Sequence, residues 1–314
     1  MFYHLTHMIS VVFPVYNEEE NVGKLHAAIK RVMDGLGEPY EIIAVDDGSK
    51  DKTLGALENL FPLKTIVFAR NYGQTSALDA GLKAARGDVV ITLDADLQND
   101  PQDIPRLIKK LREGYDVVSG WRKNRHDDWG RKVLSRSANW LTWKVTGLYL
   151  HDHACAIKAY RKSVLEGVNL YGEMHVFLPC ILYLRGAKVA EMEVAHHARA
   201  HGFSKHNFLK AVKDISDLLV VKFIFSVKRP LLLFSLVAVV FWSLSLISLA
   251  AAVIVGWVIY SGIGMTPLML LAAILALGGL IFLALGFLAE LLMRVYYESK
   301  RTTPYVVREI IDKL

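Results

Sequence analysis

The 314-residue sequence predicts an α/β domain with a mostly parallel sheet, followed by an interfacial amphipathic helix and two transmembrane helices. Three observations predict it. Residues 9 to 120 alternate short apolar runs with longer stretches of helical periodicity, which is the rhythm of βαβ units. From Leu231 to Ala289 no Asp, Glu, Lys, Arg or His occurs; a bilayer span takes roughly 20 apolar residues, so the stretch holds two spans and a short link. Between these regions, residues 206–229 mix apolar faces with lysines, the pattern of a helix lying on a membrane surface. The excess in the 53% hydrophobic content is concentrated in the apolar stretch and argues against a wholly soluble chain.

Strands are expected at Ile9–Phe13, Glu41–Val45, Thr65–Ala69, Asp88–Leu93 and Asp116–Ser119. Amphipathic helices lie between them, notably Glu19–Met33 and Gln102–Arg112, the latter opened by Pro101. After Gly120 a polar loop, Arg122–Gly130, leads to an aromatic and basic helix, Arg131–Leu148, carrying Trp140 and Trp143. A strand near Ala154–Tyr160, a helix around Glu173–Leu184 and a strand near Lys188–Ala195 complete the globular part. The expected boundaries are 1–205 for the α/β domain, 206–229 for the interfacial helix, 230–290 for the spans and 291–314 for a cytoplasmic tail. Lys222, Lys228 and Arg229 precede the first span, Arg294, Lys300 and Arg301 follow the second, and the link has no cation, so both ends are expected in the cytoplasm. The two cysteines, Cys155 and Cys180, form no framework, as expected of a reducing compartment. The N-terminus has too short an apolar run for a secretory signal.

Ligands of open α/β sheets bind at the carboxyl ends of the strands, and polar residues collect there. The first strand runs into Pro14-Val15-Tyr16-Asn17-Glu18, the second into Asp46-Asp47-Gly48-Ser49 and the fourth into Asp94-Ala95-Asp96-Leu97-Gln98. In an extended chain residues i and i+2 point the same way, so Asp94 and Asp96 can converge on one divalent cation and its phosphates. Taken alone, such a pair reads as an acidic turn after a strand; the second acidic pair changes the reading, because Asp46-Asp47 supplies acceptors for a ribose hydroxyl or a base N–H. Neither G-x-x-x-x-G-K-[ST] nor G-x-G-x-x-G occurs, so no glycine loop cradles phosphate and a carboxylate-held metal must do so. The net charge of +6 suits an anionic membrane surface and phosphate ligands and is too small to argue for nucleic acid.

Val11-Val12-Phe13-Pro14-Val15-Tyr16-Asn17-Glu18, Val45-Asp46-Asp47-Gly48-Ser49, Arg70-Asn71-Tyr72-Gly73-Gln74 and Leu93-Asp94-Ala95-Asp96-Leu97-Gln98 resemble, in order, the motifs of family 2 glycosyltransferases with the Rossmann-like GT-A fold. From Ile9 to about Tyr305 the chain is similar to the polyprenyl-phosphate group of that family, which includes dolichol-phosphate mannose synthases, bactoprenol glucosyltransferases and undecaprenyl-phosphate aminoarabinose transferases. The resemblance implies a nucleotide pocket at Pro14, Tyr16, Glu18 and Asp47, with Asp94, Asp96 and Gln98 holding Mg²⁺ or Mn²⁺ and the diphosphate. It implies lipid-phosphate contacts from Arg122, Arg131 and Ser135, and from Arg199, Ser204 and Lys205 in a His-x-Arg-x-x-Gly-x-Ser-Lys element beginning at His197. The chain departs from the family at Ala154 and His206, where glycine and tyrosine are common.

The resemblance implies transfer of a sugar, with inversion, from a nucleotide diphosphate to a polyprenyl phosphate at the cytoplasmic membrane face, with a UDP-sugar favoured. Bidentate guanidinium groups suit a lipid phosphate better than ammonium, although each arginine singly reads as a solvated loop residue. The eleven histidines show no H-E-x-x-H spacing, and His196 and His197 would point apart on a strand, so zinc is disfavoured. Two rival readings are a processive polysaccharide synthase, disfavoured by two spans and no Q-x-x-R-W motif, and a non-catalytic membrane scaffold, disfavoured by the clustered carboxylates. The resemblance allows a homo-oligomer, a tetramer as in bacterial relatives, and the small residues Gly278, Gly279 and Gly286 in the second span would permit close packing.

Overall fold

The computed structural model describes residues 8–123, 139–140, 142–170, 172, 174–197, 230–260, 267–298, 305 and 307–313. They divide into two compact units, one within Met1–Phe225 together with Thr303–Leu314, the other within Ser226–Thr302.

The first unit is built on an eight-stranded sheet. Its strands are β1 (Ile9–Val15), β2 (Tyr40–Asp46), β3 (Leu63–Phe68), β4 (Val89–Thr92), β5 (Val117–Trp121), β6 (Lys158–Arg161), β7 (Val189–Glu193) and β8 (Val307–Lys313). Their spatial order is β7-β5-β6-β4-β1-β2-β3-β8. β4, β1, β2 and β3 are mutually parallel, β7 is parallel to β5, and β6 and β8 run antiparallel to their neighbours. The sheet is therefore mixed but mostly parallel, as its apolar runs predict.

Both faces are covered, which explains why β1 reads as a nearly continuous apolar run. Val11, Phe13 and Val15 enter one core with Leu25, Ile29 and Met33 of α1 (Val22–Leu36) and Leu107, Ile108 and Leu111 of α4 (Ile104–Arg112). Val12 enters the other core, with Leu78 of α3 (Gln74–Ala84) and Leu178 and Ile181 of α5 (Met174–Leu184). The period-2 pattern of the strand thus meets two helical layers, each with its own apolar stripe. A short helix, α2 (Thr53–Glu58), follows β2. Its neighbour α1 ends at Gly37, whose φ of 67° gives the left-handed turn that satisfies the last helical carbonyls.

Strand β8 lies in the stretch expected to be a polar tail. It pairs antiparallel with β3, from Leu63 opposite Lys313 to Phe68 opposite Val307. The α/β unit is therefore assembled from residues on both sides of the apolar segment. The expected helix Arg131–Leu148 is described only at its end, where residues 139–140 and 142–146 are helical; the expected interfacial helix at 206–229 lies outside the described residues.

The second unit is a hairpin of two apolar helices, α6 (Pro230–Tyr260) and α7 (Pro267–Glu298). Each is long and apolar enough to cross a membrane. Gly278, Gly279 and Gly286 face Phe241, Trp242 and Phe234 so closely that a Cβ would collide with each. These glycines seat aromatic rings within one chain. Hydrogen bonds from Trp242 Nε1 to the Ala276 carbonyl (3.2 Å) and from Ser245 Oγ to the Ala272 carbonyl (2.7 Å) add polar links between the two helices.

Candidate active site

The strand order 3-2-1-4 in the centre of the sheet reverses direction between β1 and β4, and a crevice opens at their carboxyl ends. Pro14, Tyr16, Glu18, Asp47, Gln74, Asp94 and Asp96 line one cavity there, of about 250 Å³. Four residues expected to bind nucleotide and two expected to bind metal thus share a single wall.

The loops carrying these residues are tied to one another. Asn17 sits in the left-handed region (φ 55°), its N–H donates to Ser49 Oγ (3.0 Å), and its Oδ1 accepts from the Lys50 N–H (2.8 Å). The Glu18 N–H donates to Thr53 Oγ1 (2.9 Å), while Glu18 Oε2 accepts from Asn21 Nδ2 (2.6 Å). At Gly48, also left-handed, a Cβ would lie 2.5 Å from the Arg70 carbonyl carbon, so only glycine lets the β2 loop approach the end of β3.

The two carboxylates of Asp46-Asp47 have separate employment. Asp46 accepts from the N–H and hydroxyl of Ser49. Asp47 accepts from the N–H groups of Tyr72 (2.7 Å) and Gly73 (2.9 Å), which fixes the Asn71-Tyr72-Gly73 turn at the cavity wall. Burial raises the Asp47 carboxyl above the usual range, two N–H donors oppose that, and the neighbouring Asp46 reinforces it.

At Asp94-Ala95-Asp96 the structure corrects the expected geometry. β4 ends at Thr92, a turn covers residues 95–96, and Leu97 adopts a left-handed φ of 60°. Both carboxylates reach one cavity because a turn brings them there, and extended i, i+2 alternation is not the cause. Asp94 Oδ1 accepts from Gln74 Nε2 (2.8 Å), the first residue of α3, and Asp96 Oδ1 accepts from the Gln98 N–H (3.1 Å). Gln98 also takes the His197 N–H on its carbonyl (2.9 Å), so its backbone holds the turn in place. The donor set suits a hard divalent cation, since carboxylate oxygens are its preferred ligands. Among the described residues no group of three or more His, Cys, Asp or Glu converges as a metal site. Mg²⁺ or Mn²⁺ here would therefore complete its shell with phosphate oxygens and water, as is usual for ions carried with a nucleotide.

Arg122 follows β5 at the same edge of the sheet, and Asp152 engages it bidentately through Nε (2.6 Å) and Nη2 (2.9 Å). The side chains are 13% and 4% exposed. Burial pulls the guanidinium down, but the Asp152 hydrogen bond and charge outweigh it and the net shift is upward. Glu191 accepts the N–H groups of His151 and Asp152, so the aspartate is itself held. Behind this pair, Lys158 is 4% exposed and donates to the His153 carbonyl (3.2 Å). Its ammonium is lowered first by burial, with Asp152 and Asp94 opposing. Arg131, Ser135, Arg199, Ser204 and Lys205 lie outside the described residues. Asp152, Lys158 and Gln74 are the site neighbours that the sequence reading did not assign; only Gln74, in the Asn-Tyr-Gly-Gln motif, had a local signal.

His153 yields a test of this buried polar layer. Burial, then the Lys158 charge, lowers its imidazole to about 4. The folded form keeps the ring neutral while the unfolded chain takes up a proton near pH 6.5, so stability is full above that pH and declines as pH falls towards 4. The loss at pH 4 is expected to be roughly 3 kcal/mol. Denaturant midpoints of wild type and His153→Phe between pH 7 and 4 check this; parallel curves would refute it.

Residues 10–168 match the profile of a family described as glycosyl transferase family 2. The chain is 37% identical to a dodecaprenyl-phosphate galacturonate synthase of Rhizobium johnstonii, over 97% of this chain and 93% of that protein. It is 36% identical to an undecaprenyl-phosphate 4-deoxy-4-formamido-L-arabinose transferase of Proteus mirabilis, over 96% and 94%. Among solved structures, glucosyl-3-phosphoglycerate synthase from Mycobacterium tuberculosis in complex with Mn²⁺ and UDP-glucose superposes with a TM-score of 0.53 at 21% identity, covering 69% of this chain and 79% of that one. The likeness to the last of these is one of fold.

Proposed function

The chain belongs to glycosyl transferase family 2, and from that premise we propose that it transfers a sugar, with inversion, from a nucleotide diphosphate to a polyprenyl phosphate at the cytoplasmic face of a membrane. The observation that carries the reading is the single cavity shared by Asp94, Asp96, Tyr16 and Glu18 at the sheet's reversal point. A divalent cation bound there would offset the negative charge that builds on the leaving diphosphate. Asp94 and Asp96 would hold that ion, with Gln98 as the further oxygen donor the family resemblance implies; Gln74 orients Asp94, and the Gln98 N–H orients Asp96. Pro14, Tyr16, Glu18 and Asp47 shape the nucleotide side, Asp47 by holding the Asn71-Tyr72-Gly73 turn.

A phosphate acceptor is already anionic near neutral pH, so the reaction needs no dedicated base; positioning and electrostatics are sufficient. Arg122 is assigned to the acceptor side, and the family resemblance adds Arg131, Ser135, Arg199, Ser204 and Lys205 as lipid-phosphate contacts. The relatives named above act on dodecaprenyl and undecaprenyl phosphates, and two helices able to cross a bilayer suit an acceptor whose tail stays in the membrane. Among nucleotide-sugar donors a UDP-sugar is favoured. Residues 206–229 are assigned to the membrane interface and 230–290 to the spans, while the α/β domain takes in residues 1–205 and, through β8, the end of the expected tail.

Full-length protein supplied with undecaprenyl phosphate, Mg²⁺ or Mn²⁺ and a panel of radiolabelled UDP-sugars should give a chloroform-soluble labelled lipid with at least one donor. Label appearing only in free sugar or polymer would refute the lipid-phosphate acceptor.

A further inference from the structure

A second cavity, of about 460 Å³, opens beside the first at the ends of β1, β2 and β3. Its lining includes Tyr16, Asp46, Lys50, Arg70, Asn71 and Arg308. Tyr16 and Asn71 also line the cavity of Asp94 and Asp96, so the two are adjoining compartments. The volume lies in the range of small-ligand pockets. Three cationic side chains stand against one acid, Asp46, whose carboxylate already accepts from Ser49. Such a compartment suits the phosphate-bearing nucleoside part of a ligand.

Arg308 is the unexpected member. It comes from β8, which follows both apolar helices in the sequence. The β3–β8 ladder shifts register at this point: Val67 opposes Glu309, whereas Phe68 opposes Val307. Arg308 is the additional residue. A bulge of this kind bends the strand and re-aims the side chain it carries, and here that side chain lines the cavity. The chain is anchored on both sides of the bulge. Tyr305 stacks on Phe68 at 4.9 Å and donates its hydroxyl to Asp79 (3.1 Å), while Lys313 donates to the Glu58 carbonyl. Arg308 Nη2 donates to Glu309 Oε1 (2.8 Å), with the side chains 52% and 46% exposed, a pair weakly held in water.

We propose that Arg308 is a donor-binding residue, its guanidinium closing the outer side of this compartment over the nucleoside-phosphate part of the donor. The inference rests on the nucleotide-sugar reading above and extends it: the nucleotide site is finished by a strand that follows the membrane helices.

Calorimetric titration of UDP with Mg²⁺ into the detergent-solubilised full chain tests it. Arg308→Ala should weaken UDP about tenfold, the loss of one charge-assisted contact, with an unchanged Tm. Arg308→Lys should recover part of the affinity, and Glu309→Ala, which removes the competing carboxylate, should bind as well as wild type or more tightly. Wild-type affinity in Arg308→Ala overturns the assignment. So does weakening by Glu309→Ala equal to that by Arg308→Ala, because strand integrity would then be the cause. If the wild type binds neither UDP nor GDP, the nucleotide-sugar reading itself falls and this assignment falls with it.

Discussion

Asp96→Asn is expected to reduce sugar transfer about a thousandfold or more, the equivalent of roughly 4 kcal/mol of lost transition-state stabilisation. The substitution keeps the shape of the side chain and the oxygen that accepts from the Gln98 N–H, so the turn at Leu97 should survive. What changes is charge: Asp94 alone would then face the cation and the diphosphate. Asp96 is 6% exposed, and an amide there removes a buried negative charge without introducing bulk. Transfer measured across a Mg²⁺ and Mn²⁺ titration, with melting temperature as control, separates loss of chemistry from loss of fold. Wild-type turnover at ordinary metal concentrations would sink the metal assignment.

Arg122→Ala is expected to destabilise the α/β unit by about 3–5 kcal/mol and to abolish transfer, because it removes the bidentate partner of the buried Asp152 carboxylate. This differs from the effect of removing a solvated loop arginine. A double substitution, Arg122→Met with Asp152→Leu, removes both charges and should restore most of the stability, since a buried pair is often no better than apolar residues of similar volume. It should not restore transfer if Arg122 also serves the acceptor phosphate. Urea midpoints give the stability of each variant, and transfer to undecaprenyl phosphate gives its activity. A double variant as active as wild type would make Arg122 a structural residue only; an Arg122→Ala protein of wild-type stability would show that the pair is not buried in solution.

The sequence made the first five strands, α1, α4 and the two spans legible because each carries a strong local period: apolar runs of strand length, apolar stripes of helical spacing, or an uninterrupted apolar segment. Asp94 and Asp96 were legible for the same reason, standing at the end of an apolar strand. Their convergence came from a left-handed turn at Leu97, and nothing in a leucine signals a positive φ. Asp152 was not legible, because its partner stands thirty residues away across the sheet and a single acid in a loop has no period. Lys158 reads as an ordinary polar position until β6 is seen between β5 and β4, where both faces are covered. Strand β8 was hidden by the charges of its residues. Six of its seven positions are exposed, as suits an edge strand, and only the β-branched residues Val307, Ile310 and Ile311 hinted at it.

That edge strand has a consequence for how the protein is made. β3 is buried along its whole length, and its outer hydrogen-bonding groups are satisfied by residues translated after both apolar helices. While the ribosome is still making those helices, the nascent α/β unit carries an open edge of sequence LKTIVF, a template for pairing with another chain. Sheet closure thus waits on the synthesis of both apolar helices. A chain stalled or cleaved before the hairpin would keep its motifs intact and yet be aggregation-prone, and the cell's quality-control machinery would meet it as an unfinished sheet.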